Sequence, residues 1–208
     1  MKPNVPEHMP AQQKGYTIVE LAIALTIIGV LIVAGLAGVN SLLNSSKANT
    51  QIEDSGRALA KLQSILTSTS VSGLNTASAN GMGLFPSSRV VNDVVTTAMG
   101  GGNEFVKSNA TALTIGSNGI DLSVNSGAIY TLTSIPKSVC SDIASSLASI
   151  SNAAYVYSAL PTETNAGDST NLTTTNNIKL PGGTVQGATL GKQCNLANTV
   201  SMSFILRP

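Results

Sequence analysis

Few residues in this chain of 208 carry side chains that could do chemistry. Only 10% of the residues are charged, against roughly a quarter in average soluble proteins. The single histidine, His8, lies in a proline-rich N-terminal stretch, which disfavours a histidine-centred catalytic triad, a histidine general base and a histidine-rich zinc site. The isolated acids Asp121, Asp142 and Asp168 have no partner at a motif spacing, and we interpret them as solvated surface carboxylates. The inventory argues against an enzyme and predicts no cofactor and no metal.

One carboxylate, Glu20, lies at the start of an apolar run, where burying a charge in a membrane costs free energy. It directly precedes 19 uncharged residues, Leu21–Val39. As a helix these would span roughly 28 Å, enough for the hydrocarbon core of a bilayer. A carboxylate inside such a helix costs at least ~2.5 kcal/mol, so it normally has a partner; the alternative is a solvated Glu20 at the membrane surface. The run is longer than the apolar region of a secretory signal peptide, which leaves a signal anchor as the competing interpretation.

The residues around Glu20 resemble a known processing signature. The segment Lys14-Gly15-Tyr16-Thr17-Ile18-Val19-Glu20, followed by an uncharged helix, resembles the prepilin signature of type IV pilins. The resemblance implies that a prepilin peptidase cuts between Gly15 and Tyr16, removing a leader of residues 1–15. Tyr16 then becomes the N-methylated first residue, and Glu20 the fifth, of a mature chain of 193 of the 208 residues.

Cleavage at this point creates a charge that Glu20 can meet. The new α-amino group of Tyr16 has a reference pKa of about 7.7–8, so it is mostly cationic at neutral pH. If identical helices pack side by side, Glu20 of one can pair with the Tyr16 amine of a neighbour. Burying either charge unpaired costs several kcal/mol, so a wrong axial register is penalised. The pair is predicted to set inter-subunit register.

The apolar run continues into an amphipathic helix. Beyond Leu43, apolar residues recur at spacings of three, four and seven, and charged residues lie mainly on other faces; the apolar set is Ala48, Ile52, Leu59, Leu62 and Leu66. A helix over 18–66 would be roughly 74 Å long. We therefore predict a long helix in residues 16–66, whose apolar half is 16–43.

The remainder, residues 67–208, is predicted to be a globular head rich in Ser, Thr, Asn and Gly. Apolar spacing predicts a helix from Ser87 or Ser88 to about Met99 and another over 137–150, whereas 70–83 is expected to be a loop. Predicted strands are Ala112–Ile115, Ile120–Val124, Ala128–Leu132, Tyr155–Tyr157, Asn177–Leu180 and Thr199–Leu206. The fold class is α+β, with the long N-terminal helix packed on a mainly antiparallel sheet.

Two cysteines, Cys140 and Cys194, complete the set of reactive side chains. An even count in a head outside the cytoplasm favours a disulfide over two buried thiols, and two ligands without histidine do not make a zinc site. A cysteine pair near the C-terminus also resembles type IV pilins. Together with the stretch 130–140 and the non-Phe residue Tyr16, it resembles the type IVb subclass of bundle-forming and conjugative thin pili.

The function implied by the resemblance is that of a structural major subunit. The prepilin would be held by lipid in the bacterial inner membrane. Assembly machinery driven by a separate ATPase would then polymerise it helically into an extracellular pilus for adhesion, aggregation or conjugative contact. A minor pilin or a secretion pseudopilin is the alternative, and a membrane-anchored adhesin that presents Tyr155 and Tyr157 is more remote. The net charge of +1 argues against nucleic-acid binding.

Overall fold

The chain divides into two units, a first unit that ends at Leu42 and a second unit, Leu43–Pro208. The computed structural model describes residues 15–68, 70–109, 113–114, 121–122, 126–166 and 171–208. Helix α1, Ile18–Ser68, begins in the first unit and ends in the second. The predicted long helix and α+β class are confirmed.

Within the second unit, helix α1 is buried along one stripe, which is polar in its earlier turns and apolar in its later turns. The buried positions recur at spacings of three and four, apart from the adjacent pair Ala58 and Leu59; they are Ala48, Gln51, Ser55, Ala58, Leu59, Leu62 and Leu66. The later turns contribute apolar side chains to the main core, whereas Gln51 and Ser55 are polar and fully buried. The earlier turns must therefore be matched by hydrogen-bonding partners from the elements packed against them.

A seven-stranded antiparallel sheet forms the centre of the second unit, in the order β1-β2-β3-β6-β9-β7-β8. Its strands are β1 (Val90–Val91), β2 (Val94–Thr96), β3 (Asn103–Ser108), β6 (Ala128–Pro136), β7 (Ala153–Tyr157), β8 (Asn177–Lys179) and β9 (Thr199–Leu206). Strands β4 (Leu113–Thr114) and β5 (Asp121–Leu122) pair separately. The C-terminal strand β9 lies between β6 and β7 and is buried on both faces: its alternating residues Val200, Met202, Phe204 and Leu206 belong to one core cluster, and Ile205 belongs to the cluster on the opposite face.

The two faces of the sheet bury different sets of residues. One face joins helix α1, helix α3 (Lys137–Ile150) and helix α4 (Gly187–Cys194) in the main core. The other face carries a smaller cluster made of Ile129, Ala153, Tyr155, Tyr157, Leu172 and Ile205. Leu172 belongs to the segment between β7 and β8, so that segment supplies an apolar contact to the second face.

The start of strand β3 is set by a close approach of two backbones. Gly102 lies against the irregular part of β6, and a Cβ at this position would stand 2.0 Å from the carbonyl oxygen of Thr133. No side chain fits there. The amide of Asn103 then donates to Thr133 Oγ1 at 2.8 Å, which places the next residue, Glu104, on the buried face of the strand.

The predicted helix from Ser87 to Met99 is wrong. Residues Ser87–Arg89 form a single 3-10 turn, and β1 and β2 form a hairpin. The two turn residues, Asn92 and Asp93, have φ values of 50° and 61°, the left-handed conformation that two-residue hairpin turns require. Valine is stiff at χ1 and favours strands, so the apolar spacing that suggested a helix belongs to a strand pair.

The other predicted elements are confirmed with shifted ends, except in three places. The segment predicted as a loop over 70–83 contains a short helix α2, Thr76–Gly81, which Asn75 and Ser78 cap reciprocally. Strand β3 and helix α4 were not predicted. Parts of the strands predicted at Ala112–Ile115 and Ile120–Val124 lie outside the described residues.

Candidate functional site

Residues Gly15 to Thr17 directly precede helix α1, and Glu20 lies in its first turn. Tyr16 is 84% exposed, and Glu20 is exposed in the first helical turn. The Thr17 side-chain oxygen accepts a hydrogen bond from the Glu20 amide at 3.2 Å, and the Thr17 carbonyl accepts one from the Leu21 amide at 3.1 Å. Thr17 therefore caps the helix, and a carboxylate follows in the turn where the helix dipole favours negative charge.

Behind Glu20, the first unit presents an apolar surface. Fifteen large aliphatic side chains between Ile18 and Leu43 are exposed, and an 18-residue window has a mean hydropathy of 2.6. By length and composition, α1 can cross a membrane. The Thr26 hydroxyl donates to the Ile23 carbonyl at 2.7 Å, so this polar group is satisfied within the helix itself.

Residues 10–36 match the family described as the prokaryotic N-terminal methylation motif. The chain carries the N-terminal methylation motif of prokaryotic prepilins. A search of curated proteins finds no match to this chain. A crystal structure of TcpA, a type IV pilin from Vibrio cholerae El Tor biotype, is similar to this chain at a TM-score of 0.47 and 17% sequence identity, covering 78% of this chain and 98% of that chain. The matched motif and the apolar run that follows Glu20 lie in the same segment, which by length and composition can cross a membrane.

The two cysteines of the chain form a disulfide bond. A disulfide links Cys140, in helix α3, to Cys194, the last residue of helix α4, with a Cα–Cα distance of 5.7 Å. Both side chains lie in the main core. The bond therefore closes the C-terminal region 140–194, which contains β7, β8 and the segment over the second face of the sheet.

Opening this disulfide is expected to lower the free energy of unfolding by about 4 kcal/mol, because a cross-link over some 55 residues removes that much denatured-state entropy in the chain-entropy description. The measurement is denaturant unfolding of the full chain in detergent micelles, for the oxidised protein and for the Cys140→Ala/Cys194→Ala double variant. Addition of reductant serves as the control, since it should affect only the oxidised protein. Coinciding transitions for the two proteins would contradict the expectation.

A second polar site lies inside the second unit, where sequence reasoning placed nothing. Glu104, on β3, is 1% exposed, and its Oε1 accepts hydrogen bonds from Arg89 Nη1 at 2.5 Å and Gln51 Nε2 at 2.9 Å. Its Oε2 accepts a hydrogen bond from the hydroxyl of Tyr130, on β6. Arg89 Nη2 also pairs with Asp54 at 2.9 Å. We call these residues, together with Ser55, the Glu104 cluster.

Hydrogen bonds from the Glu104 cluster reach four elements of the fold. Gln51, Asp54 and Ser55 come from α1, Arg89 from the 3-10 turn, Glu104 from β3 and Tyr130 from β6. Gln51 Oε1 accepts both Arg89 Nη1 at 3.1 Å and the Ala98 amide at 2.7 Å. The cluster therefore supplies the hydrogen-bonding partners that the buried polar residues of α1 require. It also connects residues 85–99 to that helix.

Burial dominates the electrostatics of the Glu104 cluster. Desolvation raises the pKa of Glu104 above its usual value, and the Arg89 guanidinium opposes that rise only in part. Burial, reinforced by the Glu104 carboxylate, also raises the pKa of Tyr130, so its hydroxyl keeps its proton. Among the described residues there is no group of three or more His, Cys, Asp or Glu that could hold a metal ion.

The remaining sequence candidates do not converge on a site. Asp142 is exposed on α3, Asp121 lies in β5, and Asp168 is outside the described residues. Tyr155 and Tyr157 are buried in the second-face cluster, where the Tyr157 hydroxyl lies 2.8 Å from Ser203 Oγ. Neither tyrosine offers the exposed aromatic surface that an adhesin would use for a ligand.

Proposed function

We propose that this chain is the major subunit of a type IV pilus. In this proposal a prepilin peptidase removes residues 1–15, Tyr16 becomes the methylated N-terminus, and the mature subunits polymerise helically into an extracellular filament. The observation that carries the proposal is the helix start itself: a capped first turn that places an exposed Glu20 immediately before an uncharged apolar surface.

The apolar surface keeps the subunit out of water both before and after the proposed assembly. Fully burying one Val, Leu or Ile side chain contributes roughly 1.5–3 kcal/mol, so the exposed set between Ile18 and Leu43 represents tens of kcal/mol in water. This surface is buried first in lipid and then against neighbouring copies of the same helix. Because lipid and neighbouring helices are similarly apolar, the transfer leaves polar contacts to decide the register.

Glu20 and the Tyr16 amine are the polar groups that decide that register. In the filament each Glu20 pairs with the amine of an adjacent subunit, so both charges enter the apolar bundle as a pair. The low charge of the second unit, in a chain with only 10% charged residues, fits close lateral packing with little repulsion. Adhesion, aggregation and conjugative contact are the roles we propose for such a filament.

Mass spectrometry of the N-terminal peptide tests the processing step. In filaments sheared from cells, we expect the chain to begin at Tyr16 with one added methyl group, and to be the most abundant protein in the preparation. An exported chain that retains residues 1–15 would contradict the cleavage and leave a signal anchor. A correctly processed chain present only in trace amounts would instead identify a minor pilin or a pseudopilin.

A further inference from the structure

The Glu104 cluster contains more negative than positive charge in a place that water barely reaches. Two carboxylates, Glu104 and Asp54, share the single buried guanidinium of Arg89, whose side chain is 12% exposed. Arg57 reaches Asp54 at 3.7 Å from outside, but its side chain is 67% exposed and contributes little inside the cluster. A buried site with one surplus negative charge is a site for a proton.

Of the two carboxylates, Glu104 is the one that binds this proton more readily. Its side chain is 1% exposed, whereas that of Asp54 is 14% exposed and also contacts Arg57. The charged and titratable groups that face Glu104 are Arg89 from the 3-10 turn, Asp54 from α1 and Tyr130 from β6. Desolvation raises the pKa of Glu104 in the same direction that the charge balance requires.

A chain of hydroxyl groups lets the cluster accommodate either protonation state. The Tyr130 hydroxyl contacts Glu104 Oε2 on one side and lies 2.8 Å from Ser55 Oγ on the other. Because this hydroxyl has a single proton, it donates either to an ionised Glu104 or to Ser55. In the second arrangement the Tyr130 oxygen accepts a hydrogen bond from the carboxyl O–H of a neutral Glu104, so reversal needs no movement of heavy atoms.

We propose that Glu104 is a proton-binding site built into the second unit, and that its proton is accommodated by reversal of the Tyr130–Ser55 hydroxyl chain. When the proton binds, Arg89 keeps its ion pair with Asp54 and loses the one with Glu104. The folded chain then holds the 85–99 segment with one ion pair in place of two. This inference concerns the folding of the second unit and stands apart from the proposed polymerisation.

The consequence for stability has a definite sign. The folded state binds a proton on Glu104 at pH values where the unfolded state does not, because the folded pKa lies above the ordinary value of 4.5. The stabilisation by this proton is fully present below the ordinary pKa and is lost as the pH rises through the folded pKa of Glu104. The folded second unit is therefore stabilised by mild acid.

The decisive test is a carboxyl titration by NMR of the full chain in detergent micelles, with glutamate labelled by ¹³C at Cδ. The chain has five glutamates, and the Glu104→Gln variant assigns the signal. The midpoint of Glu104 is compared with the ordinary glutamate pKa of 4.5. We expect Glu104 to titrate above that value; a midpoint at or below it would overturn the proposal.

The Tyr130→Phe variant tests the hydroxyl chain separately. Loss of the hydroxyl removes a donor to the ionised carboxylate, and hydrogen bonds to charged groups are the stronger ones, so the midpoint of Glu104 should move to still higher pH. An unchanged midpoint, in a variant whose other glutamate signals are unchanged, would overturn the chain reversal. If Tyr130→Phe does not fold, Ser55→Ala replaces it: the Tyr130 hydroxyl then has no acceptor when Glu104 is neutral, so the midpoint of Glu104 should move to lower pH, and an unchanged midpoint would overturn the chain reversal.

Discussion

Replacing Glu20 with alanine is expected to leave the subunit folded and inserted in the membrane while abolishing filament growth. The residue is exposed in the first turn of α1, so its loss has no reason to disturb the fold. In the filament the Tyr16 amine of the neighbouring subunit would lose its partner. An unpaired charge buried in an apolar bundle costs several kcal/mol, and that cost recurs at every added subunit.

Filament yield after shearing, divided by the amount of subunit in the membrane fraction, measures this effect. Glu53→Ala is a matched control, because Glu53 is an exposed carboxylate on the same helix whose ion pair with Arg57 is solvated and contributes little. We expect normal filaments from the control and a loss of at least about two orders of magnitude from Glu20→Ala, since every 1.4 kcal/mol is a factor of ten. Normal yield from both variants would refute the register role of Glu20.

The elements that could be predicted from the sequence are those whose signal is local. The 19 uncharged residues after Glu20 require a helix, and the alternation of Val200, Met202 and Phe204 indicates a strand; both agree with the structure. Helix α3 agrees for the same reason, since its buried residues recur at helical spacing within 14 positions. In each case the signal, an unbroken apolar run or a regular spacing of apolar residues, was contained in one segment.

The hairpin and strand β3 were missed because their patterns are short and depend on distant partners. Strands β1 and β2 have two and three residues, too few to separate a period of two from one of 3.6. In β3, the buried residues are Glu104, Val106 and Ser108, so only one of three is apolar. The hydrogen bonds that compensate for the burial of the Glu104 carboxylate come from Gln51, 53 positions earlier in the chain, and from Tyr130, 26 positions later.

Glu104 therefore could not be recognised as a site residue from its neighbours in sequence. A carboxylate in a strand is ordinarily solvated, and only the folded arrangement shows that Arg89 and Tyr130 are aimed at it. The useful signal was indirect. Polar residues Gln51 and Ser55 fall on the same stripe of α1 as Leu59 and Leu62, which indicates a buried polar partner before its identity is known.

Replacing Arg89 with methionine is expected to destabilise the second unit by about 3–5 kcal/mol at neutral pH, because it leaves two carboxylates in the Glu104 cluster without their buried cation. The Arg57→Met variant is the matched control. Arg57 also contacts Asp54, but its side chain is 67% exposed, so a change of no more than about 1 kcal/mol is expected. Guanidinium unfolding in detergent micelles, followed by the near-ultraviolet circular dichroism of the buried tyrosines, gives both free energies.

The pH dependence separates the loss of a charge pair from a simple loss of packing. Without the guanidinium the pKa of Glu104 rises further, so the Arg89→Met chain relieves its surplus charge by binding a proton. Its destabilisation should therefore be smaller at about pH 5 than at about pH 7.5, and addition of Glu104→Gln should recover stability at the higher pH. A deficit that is the same at both pH values and insensitive to Glu104→Gln would mean that Arg89 acts through its aliphatic contacts, and the electrostatic account of the cluster would then be wrong.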